Sequence, residues 1–269
     1  MPARVIVITS GKGGVGKTTL TANLGVALAS MDKKVVNIDA DIGLRNLDII
    51  MGLENRIVYD LIDVVEERCK LRQAMVKHKA HPSLYLLPAA QTRDKSALMP
   101  EQMVKVVDEM RDEFDFVLVD SPAGIERGFQ NAVAPADEAL IVTNPEVSSV
   151  RDADRIIGLI EAREKKVKTH LVINRVKPEM VKRGEMLSAD DVVEILSIKL
   201  IGVIPEDEGI LIAGNTGAPG TASRATLAFQ NIARRLNGEE VPFIEFKDEP
   251  ENFFQRLVKA LGGSNSNTG

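Results

Sequence analysis

The sequence predicts an α/β fold, a single doubly wound and mostly parallel sheet flanked by helices. Three observations point there. Short β-branched apolar runs recur along the chain, and each is apolar on both alternating faces, as a strand covered on both sides must be. Stretches of helical periodicity separate these runs, the pattern of a parallel sheet. A glycine-rich turn joins the first run to the first helix. A chain of 269 residues leaves room for two domains, but no internal repeat and no linker divides the alternation, so one domain is expected over residues 1–238.

Val5-Ile6-Val7-Ile8 is the first buried strand; the apolar run that Met1-Pro2-Ala3-Arg4 leads into, five positions before Ser10, is too short to be expected as a signal peptide. A helix follows over about Lys17 to Ser30, then a second strand at Val35-Val36-Asn37-Ile38. Leu84-Tyr85-Leu86-Leu87 is the third strand, stopped by Pro88. Helical periodicity over Met99–Glu113 leads into the strand Phe116-Val117-Leu118-Val119. Further strands are expected at Ala139–Val142, Leu171–Ile173 and Leu200–Ile204, with helices over Val147–Lys166 and Ala189–Leu196 between them. Beyond Gly238 the character changes. Residues 239–251 are charged and proline-containing and read as a tether, 252–262 as a helix, and 263–269 as a disordered tail of Gly, Ser, Asn and Thr.

Composition narrows the function classes. Apolar content of 44% with 27% charged residues is that of a globular protein. The net charge of −5 provides no global field for nucleic acid or anionic membranes, so any such contact needs a local patch. Cys69 is the single cysteine, which forbids an internal disulfide and fits a reducing compartment. His78, His81 and His170 show no metal-binding spacing with each other or with Cys69. No apolar run approaches the ~18 residues of a membrane span.

The densest chemistry lies in Gly11-Lys12-Gly13-Gly14-Val15-Gly16-Lys17-Thr18-Thr19, which fits the phosphate-loop pattern G-x-x-x-x-G-K-[ST]. Glycines let successive backbone N–H groups turn toward phosphate oxygens. The following helix adds its positive N-terminal end. Lys17 suits the β- and γ-phosphates, and the Thr18 hydroxyl suits Mg²⁺. Gly11-x-Gly13-x-x-Gly16 also fits a dinucleotide fingerprint, with Asp39 and Asp41 near the distance of a ribose-binding carboxylate. Lys17-Thr18 separates the two readings, because a dinucleotide site has no use for it. In open α/β sheets ligands bind beyond the C-terminal strand ends, where Asp39-Ala40-Asp41 and Asp120-Ser121-Pro122-Ala123-Gly124 fall. Asp120 is the candidate Mg²⁺ partner, and Asp41 the candidate for orienting or deprotonating water. The alternative is that these aspartates cap the next turns.

Lys12 beside the first glycine makes this a deviant Walker A loop. It resembles the P-loop NTPase superfamily of cell-division, plasmid-partition and nitrogenase-reductase ATPases. Within it, Asp39–Asp48, Asp120–Glu126, Thr143–Arg155 and Val203–Asp207 are similar to the MinD family of division-site ATPases, a resemblance running from about residue 4 to 261. It implies ATP and Mg²⁺ as ligands and a homodimer formed on ATP binding, with Lys12 reaching the partner subunit's phosphates. It implies that Asp41 positions water, that Asp120 serves the metal, and that Asn174, Arg175, Pro205, Glu206 and Asp207 frame the adenine. It also implies partners: a MinC-like division inhibitor and a MinE-like ATPase activator, docking near Ser148, Arg151, Asp152 and Asp154. One cysteine argues against the nitrogenase-reductase branch. A flagellar-placement ATPase, a DNA-partition ATPase and a biosynthetic ligase on the same fold are the alternatives; the net acidic charge disfavours DNA.

At 100° per residue, Phe253, Phe254, Leu257, Val258 and Leu261 fill one arc of about 140°, with Arg256 and Lys259 opposite. An apolar stripe in a last helix ordinarily packs on the core. Its place between a polar tether and a polar tail favours an interfacial helix on an anionic membrane instead. The resemblance agrees, and it implies a cytoplasmic protein held at the inner face of the cell membrane.

Overall fold

The central strands are buried on both faces, as their unbroken apolar runs require. The structure, a computed structural model, describes residues 2–93 and 97–243. In chain order the elements are β1 (Arg4–Thr9), α1 (Lys17–Ala29), β2 (Val35–Asp39), α2 (Leu47–Ile50), α3 (Leu61–Val65), α4 (Leu71–Ala74), β3 (Val76–Lys77), β4 (Leu84–Leu87), α5 (Pro100–Asp108), β5 (Phe116–Asp120) and α6 (Arg127–Val133). There follow β6 (Glu138–Thr143), α7 (Val147–Glu161), β7 (Lys168–Val176), α8 (Pro178–Lys182), α9 (Ala189–Leu196), β8 (Lys199–Pro205), α10 (Glu208–Asn215) and α11 (Arg224–Leu236).

The strands form one sheet in the order β3-β4-β2-β5-β1-β6-β7-β8. All neighbours are parallel except the short edge strand β3, which pairs antiparallel with β4. Side-chain alternation sends Val5 and Val7 into one core, with α3, α5, α6, α7 and α9. Ile6 and Ile8 enter the other, with α1, α2 and α11.

Two details position the site. The register aligns Asp39 of β2 with Asp120 of β5, and β1 lies on the other side of β5. The ends of β1, β2 and β5 therefore share one sheet edge. Within β2, the buried Asn37 donates to the Thr21 carbonyl at 3.2 Å and seats α1 on the sheet. A Cβ at Gly25 would come within 2.6 Å of the Asn37 amide, so the helix approaches closely only because that residue is glycine.

Two helices are shorter than the periodicity predicts. After Asp108 the chain enters tight turns, Met110 N donating to Val107 O and Glu113 N to Met110 O, which swing Phe114 into the core. Helix α7 stops at Glu161, not Lys166, because Lys165 is tied to the Pro135 carbonyl and Asp137. Lys168 N then joins the sheet edge at Asp137 O. β3, α2, α3, α4, α6, α8, α10 and α11 were not singled out by the sequence. The first part of the expected tether is held to the fold: Arg235 donates to the carbonyls of Val241 and Pro242, and its guanidinium stacks on Phe243 at 4.1 Å. The rest of the tether, the expected membrane helix at 252–262 and the tail lie outside the described residues.

Candidate nucleotide site

The glycine-rich loop runs from the end of β1 to the start of α1, at the C-terminal edge of the sheet. Gly16 caps α1 with φ of 100°, a left-handed conformation natural to glycine. Its place is tight as well. Asn174 donates to the Val15 carbonyl at 2.7 Å, and a Cβ on Gly16 would lie 2.3 Å from that amide. At the other end, a Cβ on Gly11 would lie 2.3 Å from the Asp152 carbonyl oxygen in α7. Backbone meets backbone there, so no rotamer change relieves the clash. Gly11→Ala is expected to lose about 1–3 kcal/mol of stability and to weaken nucleotide binding by displacing the loop. Thermal unfolding and a nucleotide titration check this; an unchanged melting temperature and affinity would contradict it.

Lys17 turns inward. It is buried, and its Nζ donates to Ser10 Oγ at 3.0 Å, while Ser10 Oγ donates to the Lys12 carbonyl at 2.7 Å. Burial lowers the Lys17 pKa, and the nearby Asp120 and Asp41 work against that shift. Asp120 is fully enclosed at the end of β5. It accepts from Thr21 Oγ1 at 3.4 Å, and the nearby Thr18 hydroxyl favours its charged form. Burial first, and then the neighbouring Asp39, push its carboxyl up to about 8. Asp39 is raised to about 7, again mainly by burial, although the N–H groups of Asp41 and Leu47 donate to it at 3.0 and 3.2 Å. Carboxyls that resist ionisation this strongly are suited to a site completed by a cation. Among the described residues no three His, Cys, Asp or Glu side chains cluster as a metal site on their own. An ion here would draw most of its ligands from water and phosphate, the habit of Mg²⁺.

Asp41 follows at the rim. Its carbonyl accepts from Leu44 N and Arg45 N, and Arg45, at φ 36°, reaches Asp48 at 2.9 Å. The segment is tied down by Gly43 N, which donates to the Ala90 carbonyl, and by Leu47 N, which donates to Asp39.

Asn174 and Arg175 end β7 beside the Pro205 end of β8, where Val176 pairs with Pro205. Arg175 has φ of 57°. Glu206 bonds back to the Val176 carbonyl and pairs with Lys177 at 2.8 Å. Asp207 is spent structurally. Its carboxylate accepts from Gly209 N at 2.8 Å and Ala225 N at 3.0 Å, joining the starts of α10 and α11.

Lys12 is half-exposed. It contacts Glu146 at 3.3 Å and Ser148 at 3.5 Å, beside the start of α7. Ser148, Arg151 and Asp154 are exposed on that helix and Asp152 partly so. The loop and the proposed partner surface therefore touch at Gly11–Asp152 and Lys12–Glu146. Sequence reasoning missed Ser10, Thr21 and Glu146 as members of this network. Ser10, immediately ahead of Gly11, was the one with a local signal.

Residues 6–219 match the CobQ/CobB/MinD/ParA nucleotide binding domain family. The chain is 54% identical over 264 residues to the septum site-determining protein MinD of Synechocystis, covering 97% of this chain and 99% of that protein. It is similar to the MinD of the MinC:MinD cell division protein complex of Aquifex aeolicus, at 54% identity and a TM-score of 0.84, over 91% of this chain and all of that one. A MinD of Pyrococcus horikoshii complexed with Mg-ADP is 30% identical, with a TM-score of 0.79, over 87% of this chain and 96% of that one. With a deviant Walker A loop on a parallel sheet, a carboxylate pair at the loop's floor and these likenesses along nearly its whole length, the chain belongs to the MinD family of septum site-determining nucleotide-binding ATPases.

Proposed function

We propose that this protein is a Mg²⁺-dependent ATPase that dimerises on binding ATP, attaches to an anionic membrane surface as a dimer, and positions the division site by bringing a MinC-like inhibitor there. The observation that carries the reading is Lys17, buried at the loop's floor against Ser10 and facing Asp120 and Asp41. A buried ammonium in that position awaits phosphate charge. The MinD of the Aquifex complex with MinC supports the partner, and the Mg-ADP complex of the Pyrococcus protein supports the ligand.

Each residue has a share. The N–H groups of Gly13 to Thr19 cradle phosphate while Lys17 neutralises it. Thr18 and Asp120, at the start of α1 and the end of β5, offer oxygen donors suited to Mg²⁺. A Mg²⁺ held by them would offset the negative charge of the nucleotide's phosphates. Asp41 orients the attacking water. Lys12 leaves Glu146 and reaches the partner subunit's phosphates. Asn174, Arg175, Pro205 and Glu206 border the adenine, with Asp207 holding the turn. Ser148, Arg151, Asp152 and Asp154 receive the inhibitor and a MinE-like activator, and Phe253, Phe254, Arg256, Leu257, Val258, Lys259 and Leu261 meet the membrane.

One short amphipathic helix binds weakly, since ordering it offsets much of the burial. Two on one dimer act together, and linkage of this kind strengthens attachment about 10²–10⁴-fold. ATP thereby controls membrane residence. Co-sedimentation with anionic vesicles and a MinC-like protein, with ATP and with ADP, tests the reading; equal recovery with both nucleotides would refute it. Phe254→Glu should release the protein from vesicles while ATP turnover and dimerisation persist. If that variant instead unfolds several degrees early and still sediments with ATP, the helix packs on the core.

A further inference from the structure

We propose that the basic end of the sheet beside the C terminus of α11 is a second anionic-lipid contact; this rests on the membrane reading above. Lys168 opens β7 and Lys199 opens β8. His170 lies opposite Lys199, so both lysines stand at the same sheet end. Alternation along the strands sends them to the face that carries α11, since Val172 and Ile201 pack in that core. Lys166 precedes them in the turn, and all three are exposed. None forms an ion pair with a described residue.

The neighbouring acids are largely spoken for. Glu138 is held by Arg4 and His170, and Glu239 by Arg234. Glu164 and Glu240 reduce the positive charge without matching it. The lysines stay solvated although the chain as a whole carries −5. This is the local patch that membrane attraction would require of an acidic protein.

The position of the patch fits a lipid surface. The described chain ends here, with Phe243 laid on the Arg235 guanidinium and 45% exposed. The segment from Phe243 to Phe253 spans at most about 33–36 Å when fully extended. Insertion of the apolar arc at Phe253–Leu261 would therefore hold this edge close to the same headgroups. The nucleotide loop lies at the opposite, C-terminal ends of the strands, so both surfaces can be used at once.

The test uses the full chain with ATP. Lys168→Gln with Lys199→Gln is compared with wild type on neutral phosphatidylcholine vesicles and on vesicles containing phosphatidylglycerol. Binding to the anionic vesicles should fall about tenfold or more, with no change on neutral ones, and added salt should erase the difference. ATP turnover and dimerisation should be unaltered. Should Lys168→Gln disturb the start of β7, Lys166→Gln with Lys199→Gln replaces it. Equal binding of variant and wild type to the anionic vesicles overturns the proposal. So does a loss confined to a duplex DNA of mixed sequence, which would assign the patch to nucleic acid. Failure of the wild type itself on every vesicle overturns the membrane reading and the patch together, an outcome distinct from failure of the variant alone.

Discussion

Lys17→Ala is expected to lose nucleotide affinity by about 30-fold to several thousand-fold, the effect of truncating one partner of a buried charge pair, about 2–5 kcal/mol. Lys17 is buried, and its Nζ is held by Ser10 with Asp120 and Asp41 close by. Its removal leaves phosphate uncompensated in a place that water enters poorly. Lys12→Ala should behave differently. Lys12 is half-exposed, and its pairing with Glu146 is a surface ion pair worth at most about 1 kcal/mol. The monomer should stay stable and keep measurable nucleotide binding, while ATP-dependent dimerisation and hydrolysis disappear. Calorimetric titration with ATP, together with light scattering for dimer mass, separates the two. Equal affinity losses in both variants would remove the division of labour between the lysines.

Asp41→Ala should bind ATP and dimerise, yet hydrolyse about 10²–10⁴-fold more slowly, the usual cost of losing a group that orients or deprotonates water. Asp41 lies at the rim, two residues beyond Asp39, in a turn built by its own backbone carbonyl. That turn survives truncation of the side chain, because Leu44 N and Arg45 N bond to the backbone oxygen and Asp39 receives the Asp41 N–H. The variant should therefore keep its melting temperature and accumulate on membranes with ATP. Single-turnover kinetics measure the chemical step directly, and a near-normal rate would exclude Asp41 from it.

Much of the fold was legible because its signals are local. Apolar runs marked seven of the eight strands, with Leu84–Leu87 matching to the residue. β3 is two residues long and pairs by way of the His78 turn, too short to leave a periodic trace. Helix ends were misplaced at α5 and α7, where long-range contacts of Phe114 and Lys165 decide the stop.

The division is sharper at the site. Spacing alone pointed to the phosphate loop with Lys17 and to the strand-end aspartates, because backbone turning and helix-end charge act within a few residues, while Lys12 was singled out by resemblance to the deviant Walker A pattern. The arc of Phe253, Phe254, Leu257, Val258 and Leu261 is likewise a reading of helical spacing. Three things came only from tertiary structure. The parallel register of β2 and β5 aligned Asp39 with Asp120, and burial then raised both carboxyls. Packing of α7 against Gly11 joined the loop to the helix carrying Ser148 and Asp152. The common start of β7 and β8 gathered Lys168 and Lys199 beside the end of α11. Each joins residues far apart in the chain. Their proximity follows from strand order and close packing, which no local spacing encodes.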